Sequence, residues 1–231
     1  MHKRAAIVQS NYIPWKGYFD MIQRVDEFIL YDDVQYTRRD WRNRNLIKTP
    51  DGIRWLTIPV EVSGKYFQKI LETRVVDTSW ARNHWSMLRQ HYSKARYFPD
   101  CREWLEPLYL ECEERFLSQI NLRFINAICA HLDIRTRVSW SSDYEADGDR
   151  NERLIALCKS VGADCYLSGP AAKAYLDETV FRSAGISVEW MDYSSYPEYP
   201  QLHGTFVHGV TVLDLLLNTG SHARTYLGHG Q

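Results

Sequence analysis

Apolar and polar positions alternate along the chain in a way that predicts strands followed by helices. A run of small and β-branched apolar residues at positions 4–9 predicts a buried strand. Pro14 follows where a helix begins, and apolar residues then recur at helical spacing up to Arg24. A second strand is predicted at residues 27–31. A strand, a helix and a strand within about 30 residues make a βαβ unit, so this region favours a parallel sheet.

The rest of the chain continues this alternation around a helical middle segment. Residues 53–60 alternate as an edge strand does. Helical spacing marks residues 87–92 and 104–132, within a mostly helical segment at about 80–132. Further strands are predicted at residues 137–140, 164–167 and 187–191, and further helices at residues 151–161, 171–184 and 209–218. The sequence therefore predicts a single α/β domain over residues 1–231, with a mainly parallel, Rossmann-like sheet and a helical insertion.

Composition and charge exclude several classes of protein. The formal net charge is −1, which removes the electrostatic case for a nucleic-acid binder. No apolar run of about 18 residues exists to span a membrane. The apolar stretch near the N-terminus is interrupted at Gln9, which argues against a secretory signal and favours a cytoplasmic protein. The five cysteines lack C-x-x-C spacing and are interpreted as buried free thiols, with a catalytic thiol as the alternative.

Polar residues gather just after the predicted strand ends, at residues 9–17, 32–45, 141–143 and 168–169. Ligands of open parallel sheets bind outside the carboxyl ends of the strands. Four such clusters at one edge of a sheet predict a single cleft for a small molecule.

The first cluster combines amides, aromatic rings and a glycine. Gly17 leaves space for a ligand or another chain near the backbone, and the N–H groups of a helix start suit an anion. The alternative is that the aromatic residues and Pro14 are core and cap residues, although that role does not explain Gln9 and Asn11. The candidate binding residues here are Gln9, Asn11, Tyr12, Trp15, Lys16, Gly17 and Tyr18.

The second cluster combines carboxylates with arginines. Asp32 and Asp33 are candidate catalytic residues, since they follow a strand end and are suited to hold a metal, orient a hydroxyl or amine, or act as a base. Arginines suit phosphates, and the aromatic rings of Tyr36 and Trp41 suit a base or sugar ring. The alternative is a solvated, salt-bridged loop within the polar stretch 36–51. The candidate binding residues here are Gln35, Arg38, Trp41, Asn43, Arg44, Asn45 and Lys48.

Three later segments add candidates. Ser168 and Gly169 lie between a strand and a helix, where phosphates or carboxylates are often held, although short Ser-Gly turns also occur for conformational reasons alone. His208 is a candidate acid or base in a glycine-bounded loop, with an ordinary surface histidine as the alternative. No metal-binding motif is present. The further candidate binding residues are Ser142, Arg153 and His203.

The placement of the first cluster resembles the nucleotidyltransferase superfamily, in which a first strand leads into an H-x-G-H helix start that grips the triphosphate. Both histidines are absent here, and Lys16 supplies charge instead. The resemblance implies a nucleotidyltransferase-like variant of the Rossmann fold.

Over nearly the entire chain, the sequence is identified as a member of the WbqC-like family. The blocks that carry this resemblance are QSNYIPWKGYFDMI, FILYDDVQYTRRDWRNRNLIKTPDG with WLTIPV after it, GADCYLSGPAAKAYLD and YPQLHGTFVHGVTVLDLLLNTG. Ser10 stands where the family usually has proline, and Leu46 departs from the usual isoleucine or arginine. The family is associated with bacterial gene clusters for O-antigen and other surface polysaccharides, which implies a cytoplasmic setting. No catalytic residue is carried over.

The leading hypothesis is an enzyme, a transferase or ligase, that modifies a nucleotide-linked amino sugar. The reaction is group transfer or ATP-dependent amide formation, with ATP and Mg²⁺ as candidate cofactors and a nucleotide or nucleotide-sugar as the partner. A nucleotidyltransferase that makes an activated sugar and a non-catalytic binding or scaffold protein for glycan intermediates remain alternatives. The apolar run 210–217 leaves a homodimer open as well as burial in the chain's own core.

Overall fold

Five parallel strands form the central sheet of the protein. The computed structural model describes residues 2–228. The strands are β1 (Arg4–Val8), β2 (Glu27–Leu30), β3 (Arg44–Thr49), β4 (Gly52–Thr57), β5 (Arg137–Trp140), β6 (Cys165–Ser168) and β7 (Ser187–Trp190). The central sheet has the order β5-β2-β1-β6-β7, and each neighbouring pair is parallel. The predicted α/β class with a mainly parallel sheet is confirmed.

Helices cover the sheet and fill the middle of the chain. They are α1 (Lys16–Gln23), α2 (Ser79–Tyr92), α3 (Phe98–Leu110), α4 (Leu117–His131), α5 (Arg150–Ser160), α6 (Glu178–Ser183) and α7 (Val212–Thr219). Strands β2 and β6 are buried along their whole length, as expected of parallel strands covered on both faces. Within residues 2–228, every helix is too short or too polar to cross a lipid bilayer.

The chain changes direction across the sheet between β1 and β6. Strand β2 follows β1 in sequence and pairs with it on one side, whereas β6 pairs on the other side. In open α/β sheets this switch point leaves a crevice at the carboxyl ends of the strands, where ligands bind. The polar segments that follow β1, β2, β5 and β6 therefore meet at one edge of the sheet.

Two predicted helices have different boundaries in the structure. Residues 104–132 form α3 and α4 rather than one helix, because the charged stretch 111–115 interrupts the apolar spacing. The helix predicted at 171–184 is divided into the 3-10 helix Pro170–Ala174 and α6. The side chain of Asp177 caps α6 by accepting a hydrogen bond from the Thr179 N–H at 2.9 Å, which separates the two segments.

A hairpin lies outside the central sheet, and its first strand falls in the polar stretch 36–51, for which the sequence predicted no strand. Strand β3 occupies the end of that stretch and pairs with β4 in antiparallel register, from Arg44 opposite Thr57 to Thr49 opposite Gly52. The prediction missed β3 because it buries polar side chains, including Lys48, whose ammonium nitrogen donates to the side-chain oxygen of Gln201 at 2.6 Å. A hydrogen-bonded polar side chain hides the alternation on which strand prediction depends.

Helix α7 is buried in the chain's own core. The leucines at positions 213, 215 and 216 are fully buried, and Val212 and Leu217 are nearly so. The apolar run 210–217 is therefore satisfied within the chain and does not provide a dimer surface.

The five cysteines are free and buried, which confirms the interpretation of their apolar surroundings. Burial raises the pKa of the thiols of Cys101, Cys112, Cys129 and Cys158 to about 12, and also raises that of Cys165. Since the thiolate is the nucleophilic form, these side chains act as small apolar core residues.

A buried histidine joins the first cluster to the helical insertion. The Nε2 of His84 donates to the carbonyl of Thr57 at 3.2 Å, so its Nδ1 accepts from the hydroxyl of Tyr12 at 2.9 Å. The hydroxyl oxygens of Tyr12 and Tyr109 lie 3.0 Å apart. Burial lowers the pKa of His84 to about 4.

This histidine makes stability dependent on pH. Between about pH 6.5 and pH 4, the unfolded chain binds a proton at this side chain and the folded chain does not. Stability therefore falls as the pH drops through that window, by roughly 3 kcal/mol from His84 alone. Urea unfolding of the wild type and of His84→Gln at pH 7 and pH 4.5 measures this effect. The free energy of unfolding should fall less between the two pH values in His84→Gln, because the glutamine amide has both a donor and an acceptor but does not titrate. An equal loss in both proteins contradicts this assignment.

Candidate functional site

A cavity of about 650 Å³ opens at the switch point between β1 and β6. Its walls come from the segments after β1, β2, β6 and β7 and from the start of α5. Aromatic residues form much of the lining, namely Trp15, Tyr18, Tyr31, Tyr166, Tyr175 and Tyr193. We call this space the main cavity. Its place and composition match those of small-molecule sites in open α/β sheets.

The main cavity is electropositive. Two guanidinium groups line it, those of Arg42 and Arg150, and no acidic side chain is present among its described lining residues. Arg42 is largely buried, and its guanidinium pairs with Asp40 at 3.6 Å and donates to the Ser10 carbonyl at 3.5 Å, while its Nε has no hydrogen-bond partner among the described residues. The guanidinium of Arg150 lies over the ring of Tyr175, 4.5 Å from the ring centroid. Guanidinium groups beside aromatic faces suit an anionic ligand that carries a ring.

Four phenols of the cavity have raised pKa values. Burial raises the pKa of Tyr193 to about 12, and it also raises the pKa values of Tyr18, Tyr31 and Tyr166. The hydroxyl of Ser168 donates to that of Tyr166 at 3.4 Å. These groups act as hydrogen-bond donors and acceptors rather than as bases near neutral pH.

The indole of Trp15 occupies space that the absence of a side chain at Gly17 leaves free. A Cβ atom on Gly17 would lie 2.3 Å from Cζ2 of Trp15. The ring contacts Tyr193 and Tyr196, with centroid distances of 5.1 Å and 5.7 Å. The glycine therefore accommodates the chain's own tryptophan, and Gly17 is not among the lining residues of the main cavity.

The turn between β1 and α1 is strained and held from two sides. Ile13 has a φ of 37°, a left-handed conformation that β-branched residues rarely adopt. Its carbonyl accepts hydrogen bonds from Asn45 Nδ2 at 2.9 Å and from the Thr211 hydroxyl at 2.7 Å. Such strain persists only where surrounding structure imposes it, and it places Asn11 and Trp15 at the cavity.

Lys16 points away from the main cavity. Its ammonium group is buried, donates to the carbonyl of Pro197 at 2.6 Å, and lies over the rings of Tyr196 and Tyr199. Burial lowers its pKa to about 8. Lys16 thus anchors the segment that carries Tyr193, instead of supplying charge to a phosphate as the sequence predicted.

The two predicted catalytic carboxylates do not line the main cavity. Asp32 is fully buried and accepts hydrogen bonds from the Ser10 N–H at 2.8 Å and from the Ser118 hydroxyl. Asp33 accepts from the Ser141 hydroxyl and pairs with Arg153. Asp32 therefore connects the end of β1 to the start of α4, and Asp33 connects β2 to β5 and α5.

Removing the carboxyl group of Asp32 is expected to destabilise the fold. Burial raises the pKa of Asp32, and its hydrogen bonds oppose that rise. Asp32→Ala leaves two buried donors unpaired and should lower the free energy of unfolding by roughly 3 kcal/mol, whereas Asp32→Asn keeps an acceptor and should lower it by about 1 kcal/mol. Urea denaturation measures both. Equal, small effects of the two substitutions contradict this structural role.

The other predicted residues divide into those that reach a cavity and those that do not. The main cavity is lined by the predicted residues Gln9, Asn11, Trp15, Tyr18, Ser168 and Gly169. A smaller cavity of about 310 Å³ is lined by Asn11, Pro14, Trp15, Trp41, Asn45 and Gly209. The predicted residues outside both cavities are Tyr12, Lys16, Gly17, Asp32, Asp33, Gln35, Arg38, Asn43, Arg44, Lys48, Ser142, Arg153, His203 and His208.

Most of the residues outside the cavities have structural partners. Arg38 donates to the Val62 carbonyl at 2.7 Å, and Arg44 lies over the Trp55 ring at 4.0 Å. Asn43 donates to the Ile58 carbonyl at 2.8 Å. Gln35 donates to the Tyr66 carbonyl at 2.9 Å, and Ser142 is exposed beside a separate depression near Trp140.

Neither predicted histidine lines the main cavity. Nε2 of His203 lies 2.8 Å from the carbonyl oxygen of His91. His208 is exposed and contacts the ring of Phe206, with a centroid distance of 4.5 Å. Its pKa is lowered, first by burial of part of the ring and then by the charge of Lys16.

The residues at the main cavity do not fit Mg²⁺. Mg²⁺ binds through carboxylates, waters and substrate phosphates, and the described lining residues include no carboxylate. Within residues 2–228, no group of three or more His, Cys, Asp or Glu side chains is placed to hold a metal ion.

Several lining residues were missed by the sequence prediction, although the same rule could have found them. Tyr31 directly follows β2, Tyr193 follows β7, and Arg150 is the first residue of α5 after β5. Each lies beyond the carboxyl end of a strand, but as a single residue outside the polar clusters on which the prediction depended. Among the clustered arginines, the prediction selected Arg38 and Arg44 instead of Arg42.

The protein is a Rossmann-like α/β protein with an aromatic, arginine-lined cavity at the switch point of its parallel sheet. The chain belongs to the WbqC-like protein family, whose model matches residues 9–226. The uncharacterized protein Rv1507c of Mycobacterium tuberculosis strain H37Rv is 52% identical over 225 residues, which cover 97% of each chain. No solved structure matches the chain significantly.

Proposed function

We propose that the protein is an enzyme of bacterial surface polysaccharide biosynthesis that binds a nucleotide-linked sugar in the main cavity. The reaction class is group transfer or amide formation on the sugar. The observation that carries this proposal is the combination of two guanidinium groups with aromatic walls and no carboxylate among the described lining residues. A nucleotide-sugar carries both features that such walls recognise, a diphosphate and flat or puckered rings.

The lining residues have distinct parts in this proposal. Arg42 and Arg150 bind the diphosphate, and the rings of Trp15 and Tyr175 contact the base or ribose. The hydroxyl of Ser168 orients the ligand through a hydrogen bond.

Titration calorimetry with UDP-, dTDP- and GDP-linked sugars and with ATP tests the proposal. At least one nucleotide-sugar is expected to bind, and its affinity should fall as salt is added because the attraction is electrostatic. Absence of binding by every one of these ligands contradicts the proposal.

A second candidate is a non-catalytic protein that binds a nucleotide-sugar or glycan intermediate. It is favoured by one observation: Asp32, Asp33 and His208, the groups predicted to transfer protons, do not line the main cavity. NMR of the bound nucleotide-sugar, with and without ATP and an amine or hydroxyl acceptor, separates the two candidates. A changed covalent structure supports the enzyme, and binding without change supports the second candidate.

A further inference from the structure

The smaller cavity adjoins the main cavity and differs from it in charge. Asn11 and Trp15 line both spaces, so these two residues form the partition between them. The described lining residues of the smaller cavity include no charged side chain. A ligand that extends past the partition therefore passes from a cationic space into a neutral one.

An exposed aromatic surface borders the smaller cavity. Trp41 lines it and is 41% exposed, and its ring contacts that of Trp55, with a centroid distance of 5.4 Å. Trp55 is 42% exposed, and the guanidinium of Arg44 lies 4.0 Å from its ring centroid. Exposed indole surface beside a cavity is typical of a ligand site, because it presents a large apolar face that folding leaves unburied.

The partition also offers an unused acceptor. Oδ1 of Asn11 is buried and has no hydrogen-bond partner among the described residues. The neighbouring amide of Asn45 is fully used, since its Nδ2 donates to the carbonyls of Tyr12 and Ile13 and its Oδ1 accepts from the Leu46 N–H. A buried acceptor without a partner is unfavourable unless a ligand or water donates to it. The hydroxyl groups of a sugar are such donors.

We infer that the smaller cavity is the subsite for the sugar ring of the nucleotide-linked ligand, with Trp41 as the stacking surface and Asn11 as a hydrogen-bond acceptor. This inference rests on the proposed function and adds a division of the site to it. The charged diphosphate lies with the guanidinium groups in the main cavity, and the uncharged pyranose lies beyond the Trp15 partition. The smaller cavity adjoins the cationic one, has no charged lining residue among those described, and presents the exposed face of Trp41 and the unpaired amide oxygen of Asn11.

Comparing nucleotides with their sugar conjugates tests the inference. The probes are UDP, dTDP and GDP beside UDP-N-acetylglucosamine, dTDP-glucose and GDP-mannose, titrated into wild type, Trp41→Ala and Trp41→Phe. Trp41→Ala is expected to weaken binding of the conjugate about tenfold while the bare nucleotide changes less than twofold. Trp41→Phe should retain most of the affinity because it keeps an aromatic face.

A matched control is Phe67→Ala, which removes an aromatic side chain that is 82% exposed and lines neither cavity. It should leave both affinities unchanged. If Trp41→Ala weakens the binding of nucleotide and conjugate equally, the base lies in the smaller cavity and the inference is overturned. An unchanged affinity for the conjugate also overturns it.

A second measurement separates this inference from the proposed function. Saturation-transfer NMR with methyl α-mannopyranoside, methyl α-rhamnopyranoside and methyl N-acetylglucosaminide detects the sugar subsite without a nucleotide. Saturation transfer to a glycoside that is seen with the wild type and disappears in Trp41→Ala supports the inference. If no nucleotide binds in the same experiments, only the proposed function fails. The opposite result is that nucleotides bind, but the methyl glycosides show no saturation transfer or show transfer that is unchanged in Trp41→Ala. That result overturns the inference and leaves the proposed function standing.

Discussion

Replacing Gly17 with alanine is expected to disturb both cavities at once. The added methyl group would lie 2.3 Å from Cζ2 of Trp15, so the indole must leave its present position. Overpacking of this kind lowers the free energy of unfolding by about 1–3 kcal/mol. Because Trp15 lines both cavities, binding of the nucleotide-sugar should weaken by about tenfold or more. Urea denaturation and titration calorimetry measure the two effects.

A double variant shows whether the effect acts through the indole. In Trp15→Leu, the ring atoms that the new methyl group would meet are absent, so adding Gly17→Ala should leave stability unchanged or raise it by a few tenths of a kcal/mol, since alanine favours the helix over glycine. Binding should remain weak in the double variant because the aromatic wall is lost. Full additivity of the two substitutions, or a Gly17→Ala protein that binds normally, contradicts this account of the glycine.

Removing the two guanidinium groups should have the largest effect on binding. A hydrogen bond to a charged group contributes about 1.5–3 kcal/mol, so Arg42→Gln and Arg150→Gln should each weaken nucleotide-sugar binding about tenfold or more. The double variant should lose roughly a hundredfold in affinity if the two contacts are independent. The dependence of affinity on salt should also decrease, since fewer charges attract the ligand. Calorimetry at two salt concentrations measures both changes.

Arg135→Gln is the matched control for these substitutions. Its side chain is 88% exposed, pairs with Asp133 and does not line either cavity. It should bind as the wild type does. Loss of affinity in Arg135→Gln equal to that in Arg150→Gln would indicate a general effect of net charge, against a site at the main cavity.

The central sheet was predictable because its signals are local. The strands are short apolar runs bounded by polar residues, and each parallel connection contains a segment with helical spacing. The carboxyl-end rule also located the main cavity, since Gln9, Asn11, Ser168 and Gly169 all reach it. Residue spacing within about 30 positions was sufficient for these conclusions.

The roles of the charged residues were not predictable in the same way. Asp32 is bound by Ser118, a residue far along the chain in α4, and Lys16 is bound by the carbonyl of Pro197. Contacts between residues so distant in sequence leave no local pattern. The carboxylate pair and the lysine therefore resembled catalytic and phosphate-binding groups, whereas in the structure they hold segments of the fold together.

The arginine cluster shows the same limit on a smaller scale. The sequence identified the segment that reaches the main cavity, but not which of its arginines lines that cavity. Arg38 donates to the Val62 carbonyl and Arg44 lies over the Trp55 ring, whereas Arg42 is the member of this cluster that lines the main cavity. Which arginine is left for a ligand depends on the hairpin β3–β4, and the sequence did not reveal strand β3.

A crystal structure of the protein with a bound nucleotide-sugar, chosen from the calorimetric panel, tests the central claim most directly. We expect electron density for the diphosphate beside Arg42 and Arg150 in the main cavity, with a ring against Trp15. Density on another face of the molecule, with the main cavity occupied only by solvent at saturating ligand, would contradict the assignment of this switch-point cavity as the binding site.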